Sequence, residues 1–342
     1  MDFGMFTDFH VRPDKSQADA FEESFNQILR AEEYGMDTVW LAEHHFSPER
    51  SVLASPLIIA SSIATRTTRI RVGLAVQVLP LTNPLRVAEE AATVDHISKG
   101  RFEFGIGRSG LTRYYHGYNV DYAESKDRFF EALDVIMEAW KGKPFTHQGE
   151  YYSYQEVEIV PQPYQRPHPP TRIAVASEDT FPKVGAMGHP IFITANTDIP
   201  RMRIMLKEYQ KARSAAGHAG AGEVTLRVPV YVAETTAKAH AEPKESALSQ
   251  INYSAARLSP TARDQEARDR MQRTATEPYE EFLQRQVIFG TPEEVTARLQ
   301  GFQDDLGITG LALEINFGGL ISPDKVANSV RLLTEKVVPH FK

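Results

Sequence analysis

Cysteine is missing from this chain of 342 residues, so disulfides, thiolate metal sites and thiol nucleophiles are all excluded. Long apolar runs are missing too, since nothing approaches the roughly 20 residues needed to span a bilayer. The opening MDFGMFTDFH has neither the basic nor the apolar region of a secretory leader. These absences predict a soluble, cytoplasmic protein, in which the Asn252-Tyr253-Ser254 sequon is a chance match. A third absence is any basic stretch. With a formal charge of −7, the chain is not expected to take nucleic acid or an anionic membrane as its main partner, which leaves small molecules.

What is present is a large apolar fraction, 42% of residues, in a chain longer than one ordinary domain. One large α/β barrel or two smaller domains fit that length, and the hydrophobic pattern favours the barrel. Residues 1–7 form an apolar run; residues 17–34 then place Phe21, Phe25, Ile28, Leu29 and Ala31 at helical spacing before Gly35. The same couple of strand and helix recurs at 38–42 with 56–64, at 70–79 with 83–97 and at 101–107 with 125–140. Strands at 172–177, 191–195, 224–232 and 310–316 follow, with helices at 181–187, 199–216 and 323–338. Parallel strands need helical crossovers, so eight such units predict the α/β class and a (β/α)8 TIM barrel, a single domain over 1–342 with insertions after strands 4 and 7. The first insertion, 141–170, is rich in proline and tyrosine and carries a hairpin around Gln148-Gly149-Glu150. In the second, residues 260–278 are rich in Arg, Asp, Glu and Gln with few apolar anchors, so about 255–288 is read as a mobile lid loop.

Active sites of such barrels sit at the C-terminal ends of the strands. In chain order those ends carry Phe6 and Asp8; Glu43, His44 and His45; Gln77; Gly107, Arg108 and Ser109; Ser177 and Glu178; Thr194 and Asn196; and Asn316, Gly318 and Gly319. Adjacent strand residues face opposite ways, so one at most of His44 and His45 is catalytic, and a rim histidine is as readily a partner for a backbone carbonyl. No metal is indicated, because neither an HExxH helix nor another spaced set of histidines and carboxylates accompanies the pair. Gly105 to Gly110 formally match GxGxxG, but a dinucleotide fingerprint needs a helix directly after the glycines, and LTRYYHGYN predicts none for about a dozen residues. Arg108 is placed to meet an anion or to pair with a rim carboxylate such as Glu178. VASEDTFPK, residues 175–183, sets hydroxyls at a helix start, where free amides hold phosphate; Ser and Thr are equally ordinary N-caps. An arginine on the preceding strand adds weight to the phosphate reading.

Four segments carry a wider likeness: DTVWLAEHHF (37–46), VGLAVQVLPLTNPLRVAEEAATVDHISKGRFEFGIGR (72–108), VAS with Thr180 (175–180) and FGTPEEV (289–295). Together they resemble the bacterial luciferase-like flavin monooxygenases, and within them the luciferase α subunit. The likeness runs in register over nearly the whole chain, with HHF and DHISKGRF its most specific wording. It implies a barrel that receives reduced FMN from a separate flavin reductase, activates O2 through a flavin hydroperoxide and oxygenates a small organic substrate. It implies His44 as the acid/base, with Arg108, Ser177 and Thr180 at the flavin phosphate and Glu43, Gly107 and Ala176 as further cofactor contacts. Ala75 and Val76 would be joined by a non-prolyl cis peptide beneath the ring. A homodimer through the helices flanking the second and third strands is also implied. Two positions depart from the α subunit. Gly107 stands in place of a reactive cysteine, and Ala195 in place of a tryptophan lining the aldehyde pocket. Light emission is therefore not expected, and hydroxylation or Baeyer–Villiger insertion on another substrate is. Two rivals share the barrel: a deazaflavin-dependent hydride-transfer enzyme and a non-catalytic flavin-binding protein. The EHHF and SKGRF wording and the retention of His44 favour the oxygenase.

Overall fold

Parallel backbone pairing closes a ring of eight strands: Asp2–Thr7, Thr38–Leu41, Arg71–Leu74, Phe102–Gly107, Thr171–Ala174, Ile191–Thr194, Val224–Val232 and Gly310–Glu314. The last strand returns to the first, with Gly310 opposite Asp2, while Gly4 stands opposite Thr38 on the other side. The chain is thus a closed (β/α)8 barrel of one α/β domain. The structure, a computed structural model, describes residues 1–195 and 198–342, so Asn196, counted above among the strand ends, lies outside the described residues.

Local chemistry explains where the helices begin and end. Ser16 and Asp19 form a capping box before helix Gln17–Tyr34, and Gly35 closes it in the left-handed conformation. Pro56, Pro84, Pro292 and Pro323 each start a helix, where a missing N–H costs nothing. The mouth of the barrel is plugged by Trp40, Phe6, Ala42, Phe192 and Ala312. Trp40 fits because its neighbours are bare: a Cβ on Gly4 would come within 2.3 Å of its indole nitrogen, and one on Gly73 within 2.1 Å of its six-membered ring.

Three segments differ from the sequence reading. The third strand, expected over 70–79, is two pieces, Arg71–Leu74 and Gln77–Val78, parted at the Ala75–Val76 peptide, which is cis. A short helix, Thr112–Gly117, opens soon after the glycines of the fourth strand, where none was expected. Its polar face hides two buried anchors, Tyr114 and Tyr115, which hold it in place. The Rossmann reading still fails, because the strand is one of eight in a closed ring. Residues 255–288, read as a loop, contain helices Gln265–Thr276 and Tyr279–Arg285. The Asp264 carboxylate accepts the N–H of Ala267, which is buried, so an N-cap and one small anchor seat a helix that has few large apolar residues. Residues 288–290 then add a short parallel strand to the outer end of Val224–Val232. The first insertion holds the antiparallel hairpin Phe145–Gln148 and Ser153–Val157. Among the described residues no helix is long and apolar enough to cross a membrane.

Candidate active site

The two histidines of EHHF part company as the chain leaves the second strand. His45 is buried, with Nε2 2.7 Å from Oε1 of Glu43 and Nδ1 3.2 Å from the Tyr118 hydroxyl. Glu43 accepts the N–H of Val78 on its other oxygen at 2.9 Å, so this pair braces the second piece of the third strand. His44 turns the other way. Its Nε2 lies 2.9 Å from Oδ1 of Asp8, and its Nδ1 lies 2.9 Å from the Tyr114 hydroxyl.

Protons can be placed in this chain of three groups. Burial pushes the Asp8 carboxyl up, but the Arg50 guanidinium and the hydrogen bond from His44 outweigh it and hold it well below the usual carboxylate range. Asp8 is then an acceptor only, so the hydrogen it shares with His44 sits on Nε2. In the neutral tautomer of that ring Nδ1 carries the lone pair and accepts from Tyr114, whose phenol is pushed up to about 12 by burial and stays protonated. The free basic position of His44 is thus Nδ1, reached through the Tyr114 hydroxyl.

Asp8 also pairs with Arg50, a buried guanidinium that reaches Gln250 and lies 3.6 Å from Glu314. Glu314 in turn binds Arg227 at 2.6 Å, and the Arg227 guanidinium covers the Phe6 ring at 3.9 Å. Asp8, His10 and Glu314 could converge on a cation, with ligand atoms within 4.8 Å of one another, but Arg50 already supplies that charge. Burial, followed by Arg50, brings His10 down to about 4, in keeping with a neutral ring there.

Beside this network lies a cavity of about 330 Å³. It brings together Ala75, Val76, Arg108, Ala176, Ser177 and Thr180, all singled out in the sequence. Phe192, Ala312 and Arg227 also line it. Gly107 lies against its floor, where a Cβ would meet Cγ2 of Val76 at 2.6 Å. The space that a cysteine would need there is filled by valine. Arg108 donates to Ser125 Oγ at 3.0 Å and not to Glu178, which is held by Arg201 at 2.9 Å. Ser177 and Thr180 share a hydroxyl hydrogen bond of 2.7 Å at the start of helix Thr180–Met187. Glu43 and His44 are not among the cavity's lining residues. His44 is coupled to it through Asp8, whose charge acts on Arg227.

Sequence reasoning missed Arg50 and Arg227. Arg227 is a charged residue within an otherwise apolar strand, and that oddity was a usable signal. Arg50 lies in a loop and carried none.

The family model described as luciferase-like monooxygenase matches residues 1–309. Limonene 1,2-monooxygenase from Rhodococcus erythropolis is 27% identical, covering 100% of this chain and 87% of that protein. A protein of Sinorhizobium fredii is 37% identical over 54% of this chain, and the match spans about half of that relative, 52% of its length. Among solved structures, the oxygenating constituent of 3,6-diketocamphane monooxygenase from Pseudomonas putida, in complex with FMN, superimposes with a TM-score of 0.83 at 20% identity, covering 99% of this chain and 98% of that one. An F420-dependent secondary alcohol dehydrogenase has the same fold, with a TM-score of 0.76 at 19% identity, covering 100% of this chain and 99% of that one.

Proposed function

The chain belongs to the luciferase-like monooxygenases, and we propose on that premise that it takes reduced FMN from a separate reductase and inserts one atom of O2 into a small organic substrate. The observation that carries this reading is the meeting of Arg108, Ser177 and Thr180 with Ala75 and Val76 in one cavity.

The residues fit FMN. One guanidinium and two hydroxyls suit a phosphate dianion, and Gly107 gives Val76 the room to pack where Ala75 and Val76 line the cavity. When bound, the flavin supplies the electrons and the oxygen chemistry. The chain's own part is positioning and proton control. Arg108 neutralises the phosphate, and the hydroxyls of Ser177 and Thr180 orient it. Phe192 and Ala312 line the cavity with apolar surface that keeps water out. His44 receives or returns a proton at Nδ1 through the Tyr114 hydroxyl, while Asp8 keeps Nε2–H in place. Helices Gln265–Thr276 and Tyr279–Arg285 wall the hollow that opens beside Arg108 and Ser177, where they would cover the phosphate end of the cofactor. The protein acts as a homodimer: Ile58 is 69% exposed and Val160 75%, and both border one hollow beside helices Pro56–Arg66 and Pro84–Ser98.

The test is a substrate screen scored by oxygenated product, followed by the His44→Ala variant. Product formation is expected to fall by about 100-fold or more, with FMN affinity changed less than about threefold. Unchanged turnover would refute the role of His44. Hydride transfer from a deazaflavin is the second reading, since Arg108, Ser177 and Thr180 would serve the phosphate of that cofactor equally. Anaerobic turnover with that cofactor, and none with FMN and O2, would establish it.

A further inference from the structure

Across the cavity from Arg108 stands a second arginine, Arg227. It lies within strand Val224–Val232, where the register sets it opposite Thr194 of the sixth strand and Ala312 of the eighth. The flavin contacts assigned above sit at strands three to five: Ala75 and Val76 after the third, Arg108 after the fourth, Ser177 and Thr180 after the fifth. Arg227 belongs to the other side of the ring of strands. It pairs with Glu314 of the eighth strand, and its guanidinium covers Phe6 of the first. The cavity reaches between these two sides past Phe192, Ile193 and Ala312. A cofactor held by its phosphate at Arg108 and by its ring at Ala75 and Val76 therefore leaves Arg227 facing whatever fills the remaining space.

This guanidinium has its counter-ion but lacks acceptors. Nη2 donates to Oε2 of Glu314 at 2.6 Å. Nε is buried without a partner, and Nη1 makes no hydrogen bond among the described residues. The side chain is 34% exposed, and it lines the cavity. Charge, by contrast, is already settled. Arg227 and Arg50 are matched by Glu314 and Asp8, and His10, which burial brings down to about 4, adds no charge near neutrality. Burial pulls Arg227 down, but Glu314 and then Asp8 outweigh it and raise it above the usual guanidinium range. An anionic ligand would have to displace Glu314 or stand as an unbalanced charge beside it. A guanidinium only donates, so what Nη1 lacks is an oxygen that accepts. Around it Phe192, Ile193 and Ala312 present apolar surface, which suits a body of carbon.

We propose that Arg227 selects the substrate, and that the substrate is an uncharged carbonyl compound with an apolar body whose oxygen accepts a hydrogen bond from Nη1. The proposal rests on the reading that FMN lies along strands three to five, and it deepens that reading by naming the substrate class. A hydrocarbon of the same shape covers Nη1 and leaves it unmet. It forgoes a hydrogen bond to a charged group, worth roughly 10- to 100-fold in affinity. A carboxylate sets a second anion beside Glu314. Fixing the oxygen at the seventh strand also fixes which carbons of the substrate face a ring at the third, so one contact governs both affinity and the position oxygenated.

The experiment titrates the full chain, saturated with oxidised FMN, with matched ligands over a range of ring sizes: a cyclic ketone, the hydrocarbon in which =CH2 replaces =O, and the carboxylate of the same ring. Binding is read from the flavin absorbance, without turnover. The parent is compared with R227K and with R227M/E314Q, which removes both members of the ion pair together and so leaves neither charge buried alone. The quantity read is ketone affinity divided by hydrocarbon affinity. A loss of folded protein cancels in that ratio, and a merely structural arginine would not move it. The expected result, for at least one ring, is a ratio about tenfold or more lower in the double variant than in the parent, with R227K between them and FMN affinity changed less than about threefold. A ratio that does not fall, a ketone series that does not bind, or a carboxylate that binds tighter than its ketone overturns the proposal and leaves the phosphate reading standing. FMN affinity that falls as far as the ratio would show Arg227 holding the cofactor, and overturns it too. If the parent does not bind FMN, the phosphate reading itself falls and the proposal falls with it.

Discussion

Asp8 and His44, on the connections leaving the first and second strands, meet at 2.9 Å between Oδ1 and Nε2, and the carboxylate is fully shielded from solvent. The same carboxylate carries Arg50, so one residue sets the tautomer of the histidine and balances a buried guanidinium.

Asp8→Asn removes both functions. The neutral amide can still hydrogen-bond the imidazole, but it no longer dictates which ring nitrogen carries the hydrogen, and it leaves Arg50 short of a counter-ion. Turnover should fall by about 10- to 1,000-fold. Stability in denaturant titrations should drop by about 3–5 kcal/mol, the range for breaking a buried ion pair. Tyr114→Phe removes only the hydroxyl at Nδ1 and should lower turnover with little change in stability. A Tyr114→Phe enzyme as active as the parent would remove the phenol from the proton path.

Arg108→Gln separates the phosphate from the ring. Losing one charge-assisted contact should weaken FMN by about 1.5–3 kcal/mol, roughly 10- to 100-fold. Riboflavin, which lacks the phosphate, should bind the variant as it binds the parent. Fluorescence titration with both ligands reads the difference, and equal losses would place the phosphate elsewhere.

At Gly107 the prediction is steric. Its Cβ would lie 2.6 Å from Cγ2 of Val76, so Gly107→Ala should displace the floor and cost about 1–3 kcal/mol of stability, with weaker flavin binding. Val76→Ala in the same chain removes the clashing methyl and should recover most of the loss. A double-mutant cycle without coupling would show that the glycine is needed for another reason.

Two histidines should add stability that grows with pH through the mildly acidic range, against one opposing contribution from Asp2, whose carboxyl is raised to about 6 by burial. Burial, helped by His168, lowers His189 from 6.5 to about 4, and His10 is lowered to about the same value. Between those pH values the unfolded chain binds the proton and the folded chain does not, so stability is complete above 6.5 and is lost as pH falls toward 4. Each histidine contributes a slope of up to about 1.4 kcal/mol per pH unit. His189→Gln, remote from the site, should reduce the slope by about one such contribution. Urea midpoints at several pH values measure it, and an unchanged slope would exclude His189 as a source.

Much of the barrel was legible because its signals are local. Gly35 after the apolar stripe of Phe21, Phe25 and Ile28 marks one helix end, and Pro56, Pro84 and Pro292 mark three starts. Helices Thr112–Gly117 and Gln265–Thr276 escaped notice for the converse reason. The first is held by Tyr114 and Tyr115 sinking into surfaces formed by other parts of the chain, and the second by an N-cap and a single alanine. Neither carries enough periodic apolar residues to announce itself.

The sequence by itself determined which chemical groups stand at the strand ends, since strand spacing and fold class place Asp8, His44, Arg108 and Ser177 at one rim. Only the tertiary structure decided their partners: His44 with Asp8, 36 positions away, and with Tyr114, 70 positions away, while Arg108 took Ser125 and left Glu178 to Arg201. The physical reason is that hydrogen bonds and ion pairs act over about 3 Å. Distances that short are set by the closing of the ring and the seating of loops and helices upon it, which no local pattern of residues records.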